Sequence, residues 1–465
     1  MSEVKVTSAL AQLLSYVGAL LKQDSCDEAQ LPLGIPKRSW TAKGEGQYVG
    51  AWSASRRFAA CVERRLDEIR TRPEFREALA AIESDTRLAR FEGRDLGTPL
   101  SSRSFVGRDF LVHVCVNSSE LHGRQLAPEA EIVARRISDA LYSNSVPYEL
   151  VAPLPRFSCP TLPLALGDGL RIDRLSEREL QFAIEQRLVD VQMQPPPTMQ
   201  FGNDGNRILT DDARYEWAYV PQSAAIHVRF DLPLTVGPYT TVQTDDALTT
   251  RSEADAKLTS LVSALRAFKE GYVWFPGAVL QSSSWWLEGS TSIAWSERVA
   301  RGAFELTASE AAEFVKFWAQ LRRPNCISAR WFSAAIRRFG FSLDRSRLED
   351  KLVDSMIAFE SLFLHDAFDE LSYRLAVRLS SYLDEPGEKR RSTFARLRDA
   401  YSARSAVVHG STPKLGAFAS LDEMVEFLSG TFRWTVRRLA REIANGAQSG
   451  SDWDAFVLEK TRDSE

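Results

Sequence analysis

Residues 393–410, TFARLRDAYSARSAVVHG, decide how this chain is read. Leu397, Ala400/Tyr401, Arg404 and Val407/Val408 recur at helical spacing, which predicts a helix over 393–409. Gly410 is a good C-cap and Pro413 follows shortly beyond it. Arg404 stands on the inner face of that helix, where a leucine is expected. A guanidinium keeps its proton, so inside a helical bundle it must find an anion. Glu360 is the best candidate, in the middle of the apolar run IAFESLF (357–363), ahead of Glu370 and Asp354. His409 follows Arg404 by five residues, roughly 140° round an ideal helix. The two share no ridge and converge only through the length of arginine and the loosened helix end.

The same periodicity extends outward from this segment. Arg347–Leu364 carries Leu348, Leu352, Met356, Phe359 and Phe363 on one stripe, and Asp369–Leu383 carries Leu371, Leu375, Leu379 and Leu383. The turn Asp384-Glu-Pro-Gly-Glu separates them from the 393–409 helix. Leu421–Ile443 has Leu421, Met424, Leu428, Phe432, Leu439 and Ile443 in register, and helices are also expected over Ala308–Gln320 and Ala329–Phe339. Four helices with short connections predict an up-and-down bundle of about 100 residues. Its core is 341–447, inside a helical region 308–447, with 448–465 as a tail.

Upstream the patterns differ. Residues 1–95 read as helical. Leu10, Leu13, Leu14, Val17, Leu20 and Leu21 predict an amphipathic helix rather than a signal peptide, since only Lys5 is positive ahead of it and no A-x-A site follows. Helices are expected over Ser53–Ile69 and from Pro73 to Ile82. Residues 96–307 read as mixed α/β. Asp109–Asn117 (DFLVHVCVN) alternates as a strand would, Glu129–Tyr142 is a helix, and Tyr148–Pro153 is extended. Ser176 and Glu179 form a capping-box pattern. Val191–Asn206 is a Pro/Gly/Asn-rich loop; strands follow near Tyr215–Tyr219 and Ala224–Leu232, then a helix over Leu258–Phe268 and a strand-rich stretch over Tyr272–Trp295. The expected fold class is therefore α+β: a helical N-terminal region, a mixed α/β middle and an all-α C-terminal bundle.

With 465 residues, 44% hydrophobic and 26% charged, the composition is that of a globular protein able to bury a sizeable core. Lys+Arg 58 against Asp+Glu 62 leaves a net charge of −4, which excludes a polybasic nucleic-acid coat but not a local patch. Five scattered cysteines with no C-x-x-C argue against a disulfide framework or zinc ribbon, and for buried thiols in a reducing cytoplasm. No run approaches the ~18 uninterrupted apolar residues of a membrane span. There is no G-x-x-x-x-G-K-[ST] or G-x-G-x-x-G loop, so no cofactor is expected, and no metal-ligand spacing is visible.

The segment Arg347–Gly410 resembles the Apea-like branch of the HEPN superfamily (higher eukaryotes and prokaryotes nucleotide-binding domains). The run Tyr401, Arg404, Ser405, Val408, His409, Gly410 carries the resemblance, together with LEDKLVDSMIAFESLFL and DELSYRLAVRLSSYL upstream. The segment Leu166–Leu180 also looks like part of the region that precedes such domains. The resemblance implies a dimerising bundle whose R-x4-6-H motif, where active, cleaves RNA without metal to leave a 2′,3′-cyclic phosphate. Arg404 and His409 would be the catalytic pair, supported by Glu360, Ser405 and Tyr401. Histidine titrates near neutral pH and suits a general base, and the guanidinium fork suits phosphoryl oxygens. Catalytic members commonly carry Asn, Asp or His after the arginine; here it is Ser405, which hydrogen-bonds but takes up no proton.

Between 341 and 447 there are 16 Lys/Arg and 16 Asp/Glu, yet Lys389, Arg390, Arg391, Arg396 and Arg398 cluster ahead of the motif as a candidate nucleic-acid track. Arg433, Arg437, Arg438 and Arg441 form a second basic run. The expected function is a cytoplasmic, homodimeric, metal-independent endoribonuclease. It would be a defence or toxin-like effector with RNA as partner, regulated by the N-terminal region. The alternative is a non-catalytic dimerisation or nucleotide- or nucleic-acid-binding module. There Arg404 bridges to Glu360 to set the bundle register, and His409 satisfies the last helix carbonyls.

Overall fold

A computed structural model describes residues 2–23, 37–40, 46–49, 57–89, 94–98, 101–143, 145–176, 179, 200–201, 207–208, 224–233, 235–237, 245–282, 291–294, 303–446 and 453–462. The fold is mixed α+β and mostly helical, with small sheets of mainly antiparallel strands. It divides into two compact units: 1–153, 175–254 and 275–297 make the first, and 154–174, 255–274 and 298–465 the second.

In the first unit, α1 (Ser2–Gln23) buries Val6, Leu10, Leu13, Leu14, Val17 and Leu21, the stripe expected from its spacing. By length and composition Glu3–Lys22 could cross a membrane, but half of that stretch is buried within the fold. It packs on α4 (Pro73–Ser84), α6 (Gly107–His122) and α7 (Leu126–Tyr142). The expected helix over Ser53–Ile69 is broken into α2 (Arg57–Arg64) and α3 (Leu66–Thr71); α5 (Thr86–Ala89) follows α4. The N-terminal region also holds a hairpin of β1 (Lys37–Trp40) and β2 (Gly46–Val49).

One expectation is overturned: Asp109–Asn117 is not a strand but the middle of α6. Gly107, Phe110, Leu111, Val114, Cys115, Ser118 and Ser119 are buried, an i, i+3, i+4, i+7 stripe about one turn longer than the alternating window, with Val116 buried beside it. The alternation of Val112, Val114 and Val116 was a coincidence of β-branched residues.

The described strands of the first unit are β3 (Arg94–Thr98), β4 (Ser101–Phe105), β5 (Ser145–Leu154), β9 (Gln200–Phe201), β10 (Arg207–Ile208), β11 (Ala224–Pro233), β12 (Thr235–Gly237), β13 (Gly277–Ser282) and β14 (Thr291–Ala294); the second unit holds β6 (Phe157–Ser158), β7 (Leu164–Gly167), β8 (Leu170–Arg174) and β15 (Phe304–Glu305). Strands β14, β13, β5 and β11 lie side by side in that order, β13 antiparallel to both β14 and β5. The Tyr215–Tyr219 strand and most of the Val191–Asn206 loop lie outside the described residues, as do Trp285, Trp286, Trp295 and Cys26. Cys61, Cys115, Cys159 and Cys326 are buried free thiols, and burial pushes Cys115 up to about 12.

The helix α8 (Asp245–Phe268) enters the second unit at Asp255. There α9 (Ala308–Leu321) opens with a complete capping box, Thr307 and Glu310 exchanging hydrogen bonds. Then come α10 (Pro324–Ser328), α11 (Arg330–Asp344), α12 (Leu348–Phe363), α13 (Leu371–Leu383), α14 (Glu388–Val408), α15 (Leu421–Ala444) and α16 (Trp453–Arg462). Helix α12 is central: α11, α13, α14 and α15 all pack against it, burying Leu352, Met356, Phe359 and Phe363. Helix α14 starts five residues earlier than expected, after Gly387.

The stretch expected as a tail is a packed helix. Trp453 is fully buried, donates from Nε1 to the Leu362 carbonyl at 2.9 Å and lies against Phe363. Buried Arg378 binds the Phe363 carbonyl, Asp366 and Asp454, tying α16 to α13.

Candidate functional site

Helices α12 and α14 bring Glu360, Tyr401 and Arg404 together. Leu397, Ala400 and Ala403 form the buried edge of α14, and Arg404 lies next to that edge with its side chain 23% exposed. Its Nη2 stands 3.4 Å from Oε2 of Glu360, whose side chain is 22% exposed. The guanidinium carbon lies 5.8 Å from the Tyr401 ring centroid. The acid is the expected one. Asp354 is taken by Arg345 at 2.7 Å and Arg338 at 3.5 Å, and Glu370 is exposed at the start of α13.

This pair is loose. Charge-assisted contacts close to about 2.7–2.9 Å and are often bidentate. Here one nitrogen meets one oxygen, and Arg404 Nε and Glu360 Oε1 are buried with no hydrogen-bond partner among the described residues. Burial pushes the Glu360 carboxyl above its usual range, and Arg404 and the hydrogen bond from Tyr401 only partly oppose that shift. Burial likewise raises the Tyr401 phenol, with Glu360 adding to the effect.

His409 is placed differently. It is the exposed C-cap of α14, and Gly410 behind it has φ +71°. Ser411 N–H donates to the Ala406 carbonyl and Gly410 N–H to the Val407 carbonyl, the two bonds of a Schellman motif. Backbone groups therefore satisfy the last carbonyls, and the expectation that the His409 side chain does so is not met. No hydrogen bond joins His409 to Arg404 among the described residues. Val408, expected on the inner face, is the last residue of the helix and is 53% exposed.

Three of the five cations ahead of the motif have local work. Lys389 pairs with Asp384 at 2.8 Å, Arg390 binds the Ser381 hydroxyl, and Arg396 pairs with Glu423 at 2.9 Å between the rings of Phe418 and Phe427. Arg391 and Arg398 are exposed. They lie seven and eleven residues apart from each other and from His409 in turn, so all three share one ridge of α14 to within about 20°. Ser405, half-buried, lies about 40° from His409 on the same side.

Two arrangements were not anticipated. In the second unit a concavity of about 530 Å³ is lined by Lys316, Phe317, Trp434, Arg437, Arg438 and Arg441, with further residues of α8 and α9. Arg438 is held by Glu442, while the i, i+3/i+4, i+7 spacing of 434, 437/438 and 441 sets the cations on one face. In the first unit, Glu149 of β5, His227 of β11 and Glu179 place their donor atoms within 4.8 Å of one another, where they could hold a metal ion. These three residues are far apart in sequence, and only the Ser176/Glu179 capping pattern hinted that any of them is fixed in place. No protein-family description, no curated protein and no solved structure matches this chain.

Proposed function

We propose that the C-terminal helices form a HEPN-type ribonuclease module that cleaves RNA at Arg404 and His409 without a metal ion. It would act as a cytoplasmic homodimer through this bundle, in a bacterial defence or toxin-like effector restrained by the N-terminal regions. The observation that carries this reading is the imidazole of His409. It is exposed, relieved of any capping duty by the Schellman bonds, and in line with Arg398 and Arg391. An RNA backbone lying along that ridge would meet two guanidinium groups and then an imidazole.

In this mechanism His409 takes the proton from a ribose 2′-OH as the 2′-oxygen bonds to the adjacent phosphorus. The bond from phosphorus to the 5′-oxygen breaks, that oxygen takes a proton from water as it leaves, and His409 gives the proton it took back to solvent. The products are a 2′,3′-cyclic phosphate and a 5′-hydroxyl. Arg404, held by a single contact to Glu360, has further N–H donors for the phosphoryl oxygens. Two-fold pairing would double the cations around one cleft. Of the expected track, Arg391 and Arg398 are the residues assigned to phosphates; Lys389, Arg390 and Arg396 are engaged locally.

A second reading rests on the Glu360–Tyr401–Arg404 contact, which suits a non-catalytic module in which Arg404 sets the register of α12 on α14. The deciding experiment is incubation of the full chain with end-labelled RNA in EDTA, beside an Arg404→Ala/His409→Ala double variant. Cleavage by the wild type alone supports the ribonuclease; equal cleavage by both, or none by either, supports the scaffold.

A further inference from the structure

We propose that Glu149, Glu179 and His227 bind one divalent transition-metal ion of zinc's class. The site does not rest on the ribonuclease reading and lies wholly within the first unit. Adjacent strands supply two donors, Glu149 on β5 and His227 on β11, and Glu179, hydrogen-bonded to Ser176, supplies the third. The imidazole is 1% exposed and the two glutamates 18% and 11%.

The spacing is the first argument. His227 Nδ1 lies 3.5 Å from Oε1 of Glu149 and 3.7 Å from Oε1 of Glu179. Hydrogen bonds between nitrogen and oxygen close to about 2.7–3.2 Å. Two ligands bonded to zinc at about 2.0–2.2 Å with tetrahedral angles stand about 3.3–3.6 Å apart. The two separations from Nδ1 lie close to that range, and all three donor atoms lie within 4.8 Å of one another.

Orientation is the second. Oε2 of Glu179 accepts hydrogen bonds from the Ser176 backbone N–H and the Ser176 hydroxyl, each at 2.7 Å. Oε1 of the same carboxylate lies 3.7 Å from His227 Nδ1. Outer hydrogen bonds of this kind fix metal-ligating carboxylates.

Donor chemistry is the third. Two carboxylates and one imidazole nitrogen meet in a site largely removed from water and offer the oxygen and nitrogen donors that a divalent transition metal takes. One nitrogen and two carboxylates with no thiolate suit zinc and, less tightly, manganese. Three protein ligands leave one position open for water or another ligand. Ion binding here would clamp β5 and β11 to Glu179.

The test uses the full chain, stripped with EDTA and dialysed, then titrated with ZnCl₂ or MnCl₂ by calorimetry while thermal unfolding is followed. The expected result is one zinc per chain at micromolar Kd or tighter, tighter than manganese, with a rise in Tm. Glu149→Gln and Glu179→Gln should each weaken zinc binding at least tenfold, and His227→Ala should abolish it. Should His227→Ala fail to fold, the Glu149→Gln/Glu179→Gln double variant carries the same test through circular dichroism and calorimetry. Absence of stoichiometric zinc binding, unchanged affinity in the glutamine variants, or preference for manganese would overturn the assignment.

Discussion

Arg404 and Glu360 meet across α14 and α12 through one contact of 3.4 Å, each side chain less than a quarter exposed. Neither group is fully removed from water, so the pair falls between a surface ion pair worth ~0–1 kcal/mol and a buried one whose breakage costs about 3–5 kcal/mol. Arg404→Ala should therefore destabilise the chain by about 1–3 kcal/mol in urea unfolding. A loss under about 0.5 kcal/mol would mean the contact fixes nothing.

The same pair sets a pH dependence. Burial raises the Glu360 carboxyl above its unfolded value, so the native state holds that proton more tightly than the unfolded chain does. Its contribution is fully present below the ordinary glutamate range, near 4.3 in round numbers, and is lost as pH rises through the raised native value. Stability of the wild type relative to Glu360→Gln should fall as pH rises from about 4 and then level off. Urea unfolding of both proteins between pH 4 and 8 checks the sign; a rising difference would place Arg404, not burial, in command of Glu360.

The ridge separates binding from folding. Arg391→Glu/Arg398→Glu should leave stability within about 0.5 kcal/mol, since both residues are exposed. It should weaken RNA binding and reduce the slope of log affinity against log salt by about 1.4, two contacts at roughly 0.7 each for a single strand. Arg396→Ala should do the reverse. Its guanidinium sits 4.4 and 4.1 Å from the Phe418 and Phe427 centroids and pairs with Glu423, so its loss is structural. Filter binding at several salt concentrations, beside thermal melts, distinguishes the two.

Trp453 tests the packing of α16. Truncation to alanine removes a fully buried indole from Phe363 and Tyr382 and leaves the Leu362 carbonyl without its donor. Cavity and transfer costs for such a change run to about 3–5 kcal/mol. A urea midpoint close to that of the wild type would show that α16 is dispensable.

What the sequence made legible was periodicity long enough to average out accidents. The Leu352–Phe359–Phe363 stripe spans about three turns and the Leu397–Ala400–Tyr401–Arg404 spacing about two, so both the helices and the Arg404–Glu360 meeting could be read from one chain. Asp109–Asn117 failed because nine residues with three alternating valines fit a strand as well as a helix; only Phe110, Ser118 and Ser119 at its edges settle the period. Trp453 was missed because a ten-residue helix after a break announces no stripe of its own. Glu149, Glu179 and His227 were invisible because strand pairing, which joins β5 to β11, leaves no local trace. The free standing of His409 depends on backbone bonds of Gly410 and Ser411, of which the glycine alone was readable.

Roles within the proposed site separate on three variants. His409→Ala should cost little stability, because an exposed C-cap side chain whose carbonyls are already satisfied contributes at most ~1 kcal/mol through the helix dipole. If His409 is the general base, the same change should slow RNA cleavage by roughly 10²–10⁴-fold, and EDTA should leave the wild-type rate unchanged. Arg404→Ala should damage both stability and cleavage, since it removes the phosphoryl donor and leaves Glu360 half-buried beside no cation. Arg404→Lys is the sharper probe: it keeps the charge near Glu360 but loses the planar fork. A lysine variant that melts close to wild type yet cleaves poorly places Arg404 at the phosphate. A lysine variant that cleaves normally removes the fork from the mechanism. If no variant and no wild-type preparation cleaves, while Tm falls in the order wild type, Lys, Ala, the arginine serves the α12–α14 register alone. Melting temperature and cleavage rate measured on the same three proteins therefore assign each residue to chemistry or to packing.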